Sequence, residues 1–272
     1  MDIKIGFIGG GNMATSLIGG LIEGGHAASD IIVYDPSSER SKQLAQQFQI
    51  NTAADNSSLI KQSDVVVIAV KPQVLEKVLK PLVHDFNAQR PLIVSVVAGI
   101  RASSIEKWLE AEHALVRVMP NTPALIGAGA SGLYANKKVS DGQRSIASNL
   151  LNCVGNSVWL ETEADIDSVT ALSGSGPAYF MLFIKELIDS AVKAGIDQDS
   201  AKRLAVQTAI GAAQLVEQSE DSLQTLIDNV TSPNGTTEAA LKSFEQSNLQ
   251  KVVADAFSAA KLRSEELANE LG

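Results

Sequence analysis

The chain has 272 residues, 45% of them hydrophobic and 19% charged, and a formal net charge of -9. That is the balance of a globular protein long enough for two domains, each with its own core. The acidic surplus and the lack of a basic stripe argue against a nucleic-acid or anionic-membrane partner.

The first element is a strand through Ile3, Ile5, Phe7 and Ile8, followed by Gly9-x-Gly11-x-x-Ala14 and a helix in which Met13, Leu17, Ile18, Leu21 and Ile22 recur until Gly24-Gly25. This is the dinucleotide fingerprint. Gly9 permits the tight turn, Gly11 lets the backbone approach a pyrophosphate, Ala14 lets the helix pack closely, and the helix N-terminus faces the phosphates. A glycine turn also occurs as a plain loop; the strand before it, the helix after it and an acidic residue ending the next strand favour a nucleotide.

Ile31–Tyr34 is the second strand, closed by Asp35-Pro36-Ser37-Ser38. Asp35 stands about 20 residues past the fingerprint, where a carboxylate bonds the adenosine ribose; it also suits a turn or N-cap ahead of a helix from Ser37 to Phe48. A carboxylate favours a free 2′-hydroxyl, whereas Ser37, Ser38 and Arg40 together form a cradle for a 2′-phosphate, so the coenzyme choice stays open here.

A short strand near Asn51 to Ala53 leads to Asn56 and a brief helix, and Val65–Val70 is a fully buried strand stopped by Lys71-Pro72. Parallel strands point their carboxyl ends at the ligand crevice, so Lys71 either reaches a cofactor or is a solvated loop lysine. Leu92–Val97 repeats the pattern and ends in Ala98-Gly99, small enough for a nicotinamide ring. Ser103 is read as the cap of a helix through Trp108. Leu115–Met119 is the next strand, ending in Pro120-Asn121-Thr122-Pro123, a rigid turn that either holds a ligand or is simple loop chemistry. Gly127–Gly129, Ser131–Tyr134, a helix Ser140–Cys153 and Ser157–Leu160 complete the alternation. Residues 1–162 therefore predict an α/β dinucleotide-binding domain, a doubly wound parallel sheet with antiparallel additions near its end.

From Glu163 onward only helical periodicity remains, so residues 163–272 predict an all-α second domain. Ser173-Gly174-Ser175-Gly176-Pro177 starts a helix that is apolar nearly all round from Ala178 to Ala194, until Gly195 caps it. Such a helix should be central and buried on several sides, and a second subunit should cover part of it. Helices Asp199–Gln218 and Leu223–Val230 precede Thr231-Ser232-Pro233-Asn234-Gly235-Thr236-Thr237, which opens another helix. Backbone N–H groups and hydroxyls at a helix start suit a carboxylate; capping by Thr236 or Thr237 is the alternative.

The single cysteine, Cys153, excludes an intrachain disulfide and a cysteine-based metal cluster, and reads as a small buried hydrophobe beside Leu150, Leu151 and Val154. His26, His84 and His113 have no ligand spacing and read as surface or loop residues, so no metal is expected. The longest apolar runs are too short to cross a bilayer, and the chain opens directly on a strand without room for a signal peptide; the expectation is a cytoplasmic protein.

Taken in order, Gly6-Phe7-Ile8-Gly9-Gly10-Gly11-Asn12-Met13-Ala14, Ala69-Val70-Lys71-Pro72, Met119-Pro120-Asn121-Thr122-Pro123-Ala124, Ser173–Tyr179 and Asp228–Thr237 closely resemble the Δ1-pyrroline-5-carboxylate reductase family, from residue 3 to about 262. The last stretch is the most diagnostic. The resemblance implies a Rossmann-type domain followed by a helical dimerisation domain, and NAD(P)H-dependent reduction of a cyclic imine acid to L-proline. It implies cofactor contacts from Gly9, Gly11, Asn12, Met13, Asn56, Ala69, Val70, Lys71 and Pro72, to which the reading of the residues themselves adds Gly10, Asp35, Ser37, Arg40, Ala98, Gly99 and Asn121. Substrate contacts would come from Glu163, Asn229, Ser232, Gly235, Thr236 and Thr237, with the Thr237 hydroxyl beside the ring nitrogen. NADPH is the implied coenzyme, with NADH as the alternative, and the assembly a homo-oligomer built through the C-terminal helices, a dimer or a decamer of such units. Two positions depart from the family pattern: Asn234 stands where glycine is frequent, and Ile227 where a lysine is common. Two rival readings are a β-hydroxyacid-dehydrogenase-like reductase, for which Lys185 or Lys193 would be the catalytic lysine, and a non-catalytic NAD(P)H-binding regulator.

Overall fold

Alternate residues along the central strands enter two different cores, which requires a sheet covered on both faces there. In the computed structural model, which describes residues 3–272, the strands are β1 (Ile5–Ile8), β2 (Ile31–Tyr34), β3 (Asn51–Thr52), β4 (Val65–Ile68), β5 (Leu92–Ser95), β6 (Leu115–Met119), β7 (Gly129–Ala135) and β8 (Gly155–Trp159). Ile5, Phe7, Val65, Val67, Leu92 and Val94 join Leu17, Ile18 and Leu151 in one core. Ile8, Val66, Ile68 and Ile93 join Leu59, Leu75, Phe86 and Ile105 in the other.

The strand order is β3-β2-β1-β4-β5-β6-β7-β8. Pairing is parallel from β3 through β6, antiparallel between β6 and β7, and parallel again between β7 and β8. The first six strands thus follow the 3-2-1-4-5-6 order of doubly wound dinucleotide-binding sheets, in which the chain reverses direction between β1 and β4 and ligands bind outside the carboxyl ends there. The expected antiparallel addition is β7.

Helices α1 (Asn12–Glu23), α2 (Ser38–Phe48), α3 (Asn56–Lys61), α4 (Pro72–Leu79), α5 (Val83–Gln89), α6 (Ala102–Trp108) and α7 (Asp141–Asn152) supply the layers over the sheet. Gly6 allows one of these contacts: a Cβ there would stand 2.4 Å from Leu59 Cδ2 and 2.3 Å from Ser63 Oγ. Two sequence expectations need correction in this part of the chain. Ser103 is not the cap of α6; Arg101 occupies that position, without a side-chain capping bond. His113 is not a surface residue but is 2% exposed, turned edge-on to Phe86 at 6.1 Å between ring centroids.

The chain divides into two compact units, one reaching Ser175 and including Ala260–Gly272, the other Gly176–Ala259. The first therefore continues past the change of periodicity at Glu163. Helix α8 (Asp165–Val169) and the π-helical turn Thr170–Gly174 belong to it. Gly132 in β7 meets Val169, and a Cβ on it would come within 2.8 Å of Val169 Cγ1. The last turns of α13 (Leu249–Leu271) also pack there: Ser264 Oγ donates to Asp167 Oδ1 at 2.6 Å, and Arg101 Nη2 to Asn269 Oδ1 at 2.9 Å.

The second unit holds α9 (Gly176–Lys193), α10 (Gln198–Gln218), α11 (Leu223–Asn229), α12 (Thr236–Gln246) and the first turns of α13. α9 was expected to be buried on several sides. Within this chain Phe180, Met181 and Leu182 are 74%, 63% and 59% exposed, and Gly176 is its buried position. One chain has too few layers here to cover an all-round apolar helix, so this surface stays uncovered within the chain. Among the described residues no helix is long and apolar enough to cross a membrane, and no cluster of three or more His, Cys, Asp or Glu could hold a metal ion.

Candidate active site

The glycine turn has the geometry its sequence requires. Gly9 has φ +99°, a region L side chains avoid, and a Cβ there would lie 2.6 Å from the carbonyl oxygen of Ala69. Gly11 is the N-cap of α1; no side chain caps that helix, and no atom lies within 4 Å of where a Gly11 Cβ would stand. Ala14 is fully buried behind the turn. The first N–H groups of α1, at Asn12 and Met13, therefore open onto free space at the positive end of the helix.

Asp35, at the end of β2, accepts the Gly10 N–H on Oδ2 and the Ser37 N–H on Oδ1, both at 2.9 Å. Arg40 lies on the first turn of α2. Its Nε donates to the Gly10 carbonyl at 2.6 Å, Nη2 to Thr15 Oγ1 at 2.6 Å and Nη1 to Gln43 Oε1 at 2.7 Å. Ser37 is the N-cap of α2, its hydroxyl accepting the Arg40 N–H at 3.3 Å.

Asn56 opens α3, and its Oδ1 is buried without a hydrogen-bond partner among the described residues. An orphaned acceptor of this kind suits a hydroxyl-bearing ligand. Ala69 and Val70 follow β4, and Lys71 is the N-cap of α4 with Pro72 in its first turn. Ala98 is exposed, while Gly99, at φ +70°, faces Leu267 and Leu271 of α13. Asn121 is buried, with its amide joined to protein at both ends: Nδ2 donates to the Ser173 carbonyl at 3.0 Å and Oδ1 accepts the Ala130 N–H at 2.9 Å. Of the two readings of that turn, loop construction accounts for these bonds.

Glu163 belongs to the first unit. Its Oε1 accepts from Arg117 Nη1 and from the Ala102 N–H, each at 2.6 Å. A distant carboxylate thus stands at the N-terminus of α6, where Ser103 was expected to cap. Arg117 is 6% exposed and was not singled out from sequence, although a charged residue inside the apolar run Leu115–Met119 is the signal that marks it.

In the second unit Thr231–Gly235 forms a tight turn into α12. Asn234 has φ +58°, the left-handed conformation that asparagine tolerates in place of glycine. The Gly235 N–H donates to the Ser232 carbonyl at 2.9 Å, and a Cβ on Gly235 would lie 2.9 Å from that oxygen. Gly235 is the N-cap, and no side-chain bond caps the helix. Thr236 and Thr237 are thus not capping residues: they form the first turn, with their N–H groups beyond reach of an intrahelical acceptor. Thr237 is half-buried, while Ser232, Thr236 and Asn229 are exposed. Glu238 accepts the Asn234 N–H at 2.5 Å and Lys242 Nζ at 2.7 Å; these contacts, Lys242 first, hold its carboxyl below the usual range. Where Ile227 replaces a lysine, Asp228 takes a hydrogen bond from Gln224 Nε2 at 2.8 Å. Lys185, the candidate of the rival reductase reading, is exposed and bonded to Asp189 and Glu186 at 2.7 and 3.1 Å.

The open α1 N-terminus, the free space at Gly11 and the orphaned Asn56 Oδ1 fit a dinucleotide. Residues 4–99 match the family profile described as NADP oxidoreductase, coenzyme F420-dependent, and residues 163–267 the profile described as pyrroline-5-carboxylate reductase dimerisation. Fold and site together define an oxidoreductase that uses a nicotinamide coenzyme, made of a Rossmann-type domain and a helical dimerisation domain. Pyrroline-5-carboxylate reductase of Pseudomonas aeruginosa is 48% identical over 99% of this chain and 98% of its own length, and that of Vibrio alginolyticus 42% over 97% of each. Among solved structures, a pyrroline-5-carboxylate reductase from Coxiella burnetii superposes with a TM-score of 0.95 at 38% identity, covering 98% of this chain and 99% of that one. A Plasmodium falciparum pyrroline carboxylate reductase with NADP bound gives 0.86 at 32%, covering 98% of each. The chain belongs to the pyrroline-5-carboxylate reductase family, oxidoreductases acting on a CH–NH bond with NAD(P).

Proposed function

We propose that the chain reduces Δ1-pyrroline-5-carboxylate to L-proline with NADPH, the last step of proline biosynthesis, as a cytoplasmic homo-oligomer. The observation that carries this reading is the uncapped start of α12 behind the Ser232–Gly235 turn, a set of backbone donors shaped for a carboxylate. The N–H groups of Thr236 and Thr237 and the Ser232 hydroxyl hold the substrate carboxylate, with Gly235 keeping the turn free of a side chain and Asn229 beside them. Glu163 serves the substrate indirectly, by holding Arg117 and the start of α6. The working division is a dinucleotide-binding part, 1–162, and a substrate-binding and dimerisation part, 163–272. The dimer is the working unit, whether or not such units assemble into a decamer.

The N–H groups of Asn12 and Met13 hold the pyrophosphate, with Asn56, Ala69, Val70, Lys71, Pro72, Ala98 and Gly99 along the rest of the coenzyme and Asn121 shaping the turn below it. NADPH is favoured over NADH by Ser37 and by the two guanidinium N–H groups of Arg40 not engaged in the three bonds described above. When bound, the reduced nicotinamide supplies a hydride to the imine carbon.

Protonated imine is already electrophilic, so the protein's part is positioning and electrostatics rather than an acid–base pair. The Thr237 hydroxyl lies at the ring nitrogen and holds or passes its proton. The test is NADPH consumption on adding pyrroline-5-carboxylate, run in parallel with NADH and with 2-hydroxy and 2-keto acids. Turnover is expected with the imine acid alone. Thr237→Ala is expected to lower kcat/KM by roughly 10²-fold, the scale of one lost preorganised donor; an unchanged kcat/KM removes Thr237 from the mechanism.

A further inference from the structure

Asp35 and Arg40 occupy the positions from which a doubly wound protein reads the adenosine ribose, yet in this chain both bond the backbone of one residue, Gly10. Asp35 takes the Gly10 N–H at 2.9 Å and steadies its own loop through the Ser37 N–H at 2.9 Å. Arg40 takes the Gly10 carbonyl at 2.6 Å, and its guanidinium is held in plane by Thr15 and Gln43 at 2.6 and 2.7 Å. The two peptide groups that meet at Gly10 are therefore each held by a charged group, and charge-assisted bonds are the strongest available for fixing a turn. Gly10 itself is buried, and a Cβ there would stand 2.9 Å from Leu44 Cδ1, so a side chain fits only if Leu44 shifts. Its two backbone groups are thus the handles by which this part of the turn is held.

We propose that Asp35 and Arg40 are positioning residues that clamp Gly10 and so set the pyrophosphate turn, and that Asp35 does not select between coenzymes at the ribose. The proposal rests on the dinucleotide reading above. A ribose-selecting carboxylate acts on the difference between NADPH and NADH; a clamp acts on what the two share, the diphosphate. Likewise, an arginine that serves only a 2′-phosphate is irrelevant to NADH, which lacks one, whereas a clamp arginine matters for both.

The experiment measures binding of NADPH and of NADH separately by coenzyme fluorescence, with steady-state kinetics alongside, for the parent chain, Asp35→Ala, Arg40→Ala and Arg40→Lys, each checked for a native melting transition. Under the clamp, Asp35→Ala weakens both coenzymes by about the same factor, tenfold or more, and leaves their ratio within twofold. Arg40→Ala weakens NADH as well as NADPH, and Arg40→Lys, which keeps the charge but loses the fork that reaches Gly10 and Thr15 together, fails to restore NADH binding. A tenfold change in the NADPH-to-NADH ratio on Asp35→Ala, or unchanged NADH binding in Arg40→Ala, overturns the clamp. If Asp35→Ala does not fold, the two Arg40 variants decide by the same comparison. A parent chain that binds neither coenzyme overturns the dinucleotide reading itself, and the clamp with it.

Discussion

His113 is 2% exposed, and neither ring nitrogen has a hydrogen-bond partner among the described residues. Burial first, and the Arg90 charge second, hold its pKa below the ordinary histidine value. A folded-state pKa below the unfolded one means that the unfolded chain binds the extra proton first, so stability contributed by the neutral ring is lost as pH falls below about 6.5. His113→Leu removes an unsatisfied polar ring while keeping an apolar filling beside Phe86. It is expected to leave stability at pH 7 unchanged or raised by about 1 kcal/mol, and to shrink the loss between pH 7 and pH 5, as read from urea midpoints at both. Cys153 is inert on similar grounds: burial pushes its thiol up to about 11, and Sγ donates to the Leu150 carbonyl at 2.8 Å. A maleimide reagent should label it slowly at pH 7 in the folded chain.

Among the elements, the turn into α12 depends on one left-handed backbone conformation, at Asn234, and on one position too crowded for a side chain, at Gly235. Asn234 can adopt φ +58° with little cost, but position 235 has no room for a side chain. Gly235→Ala should push the turn off Ser232 and misplace the amide donors at the start of α12. KM for the imine acid is then expected to rise tenfold or more while the NADPH dissociation constant stays unchanged; parallel losses in both would show that the turn supports the whole chain rather than the substrate. Helix α6 illustrates the opposite case, in which a local signal gives way to a distant one. Ser103 has the chemistry of a cap, yet the helix begins two residues earlier than such a cap would set it, with Arg101 as N-cap, because Glu163, which also pairs with buried Arg117, accepts the Ala102 N–H. One carboxylate satisfying both a buried guanidinium and a helix end outweighs a single hydroxyl cap.

At the scale of the whole molecule, the second unit leaves the broad apolar surface of α9 uncovered, along with Leu204 and Ile210 on α10 and Val252 and Val253 on α13. Residues 163–267 match a dimerisation profile, and a second copy of the chain is the occupant proposed for that surface. Phe180→Glu places a charge where the partner must pack and is expected to yield monomers in sedimentation equilibrium, with reductase activity lost. An assembly of unchanged size would mean that this face of α9 is turned to solvent.

The glycine turn, the alternation of strands and helices and the amide-rich loop before α12 were all legible in the sequence, because each is a local rule: glycine where φ is positive or a ligand approaches, period 2 against period 3.6, small polar residues before a helix. The antiparallel β7 could be anticipated, and so could the tolerance of Asn234. What only the tertiary structure decided was where groups 25 to 61 residues apart meet: Asp35 and Arg40 on Gly10, Glu163 on α6 and Arg117, His113 in a core instead of at the surface. It also decided that α9 is not covered within its own chain. Periodicity reports which face of an element is apolar, but not what lies against that face, since packing partners are chosen by the folded chain as a whole.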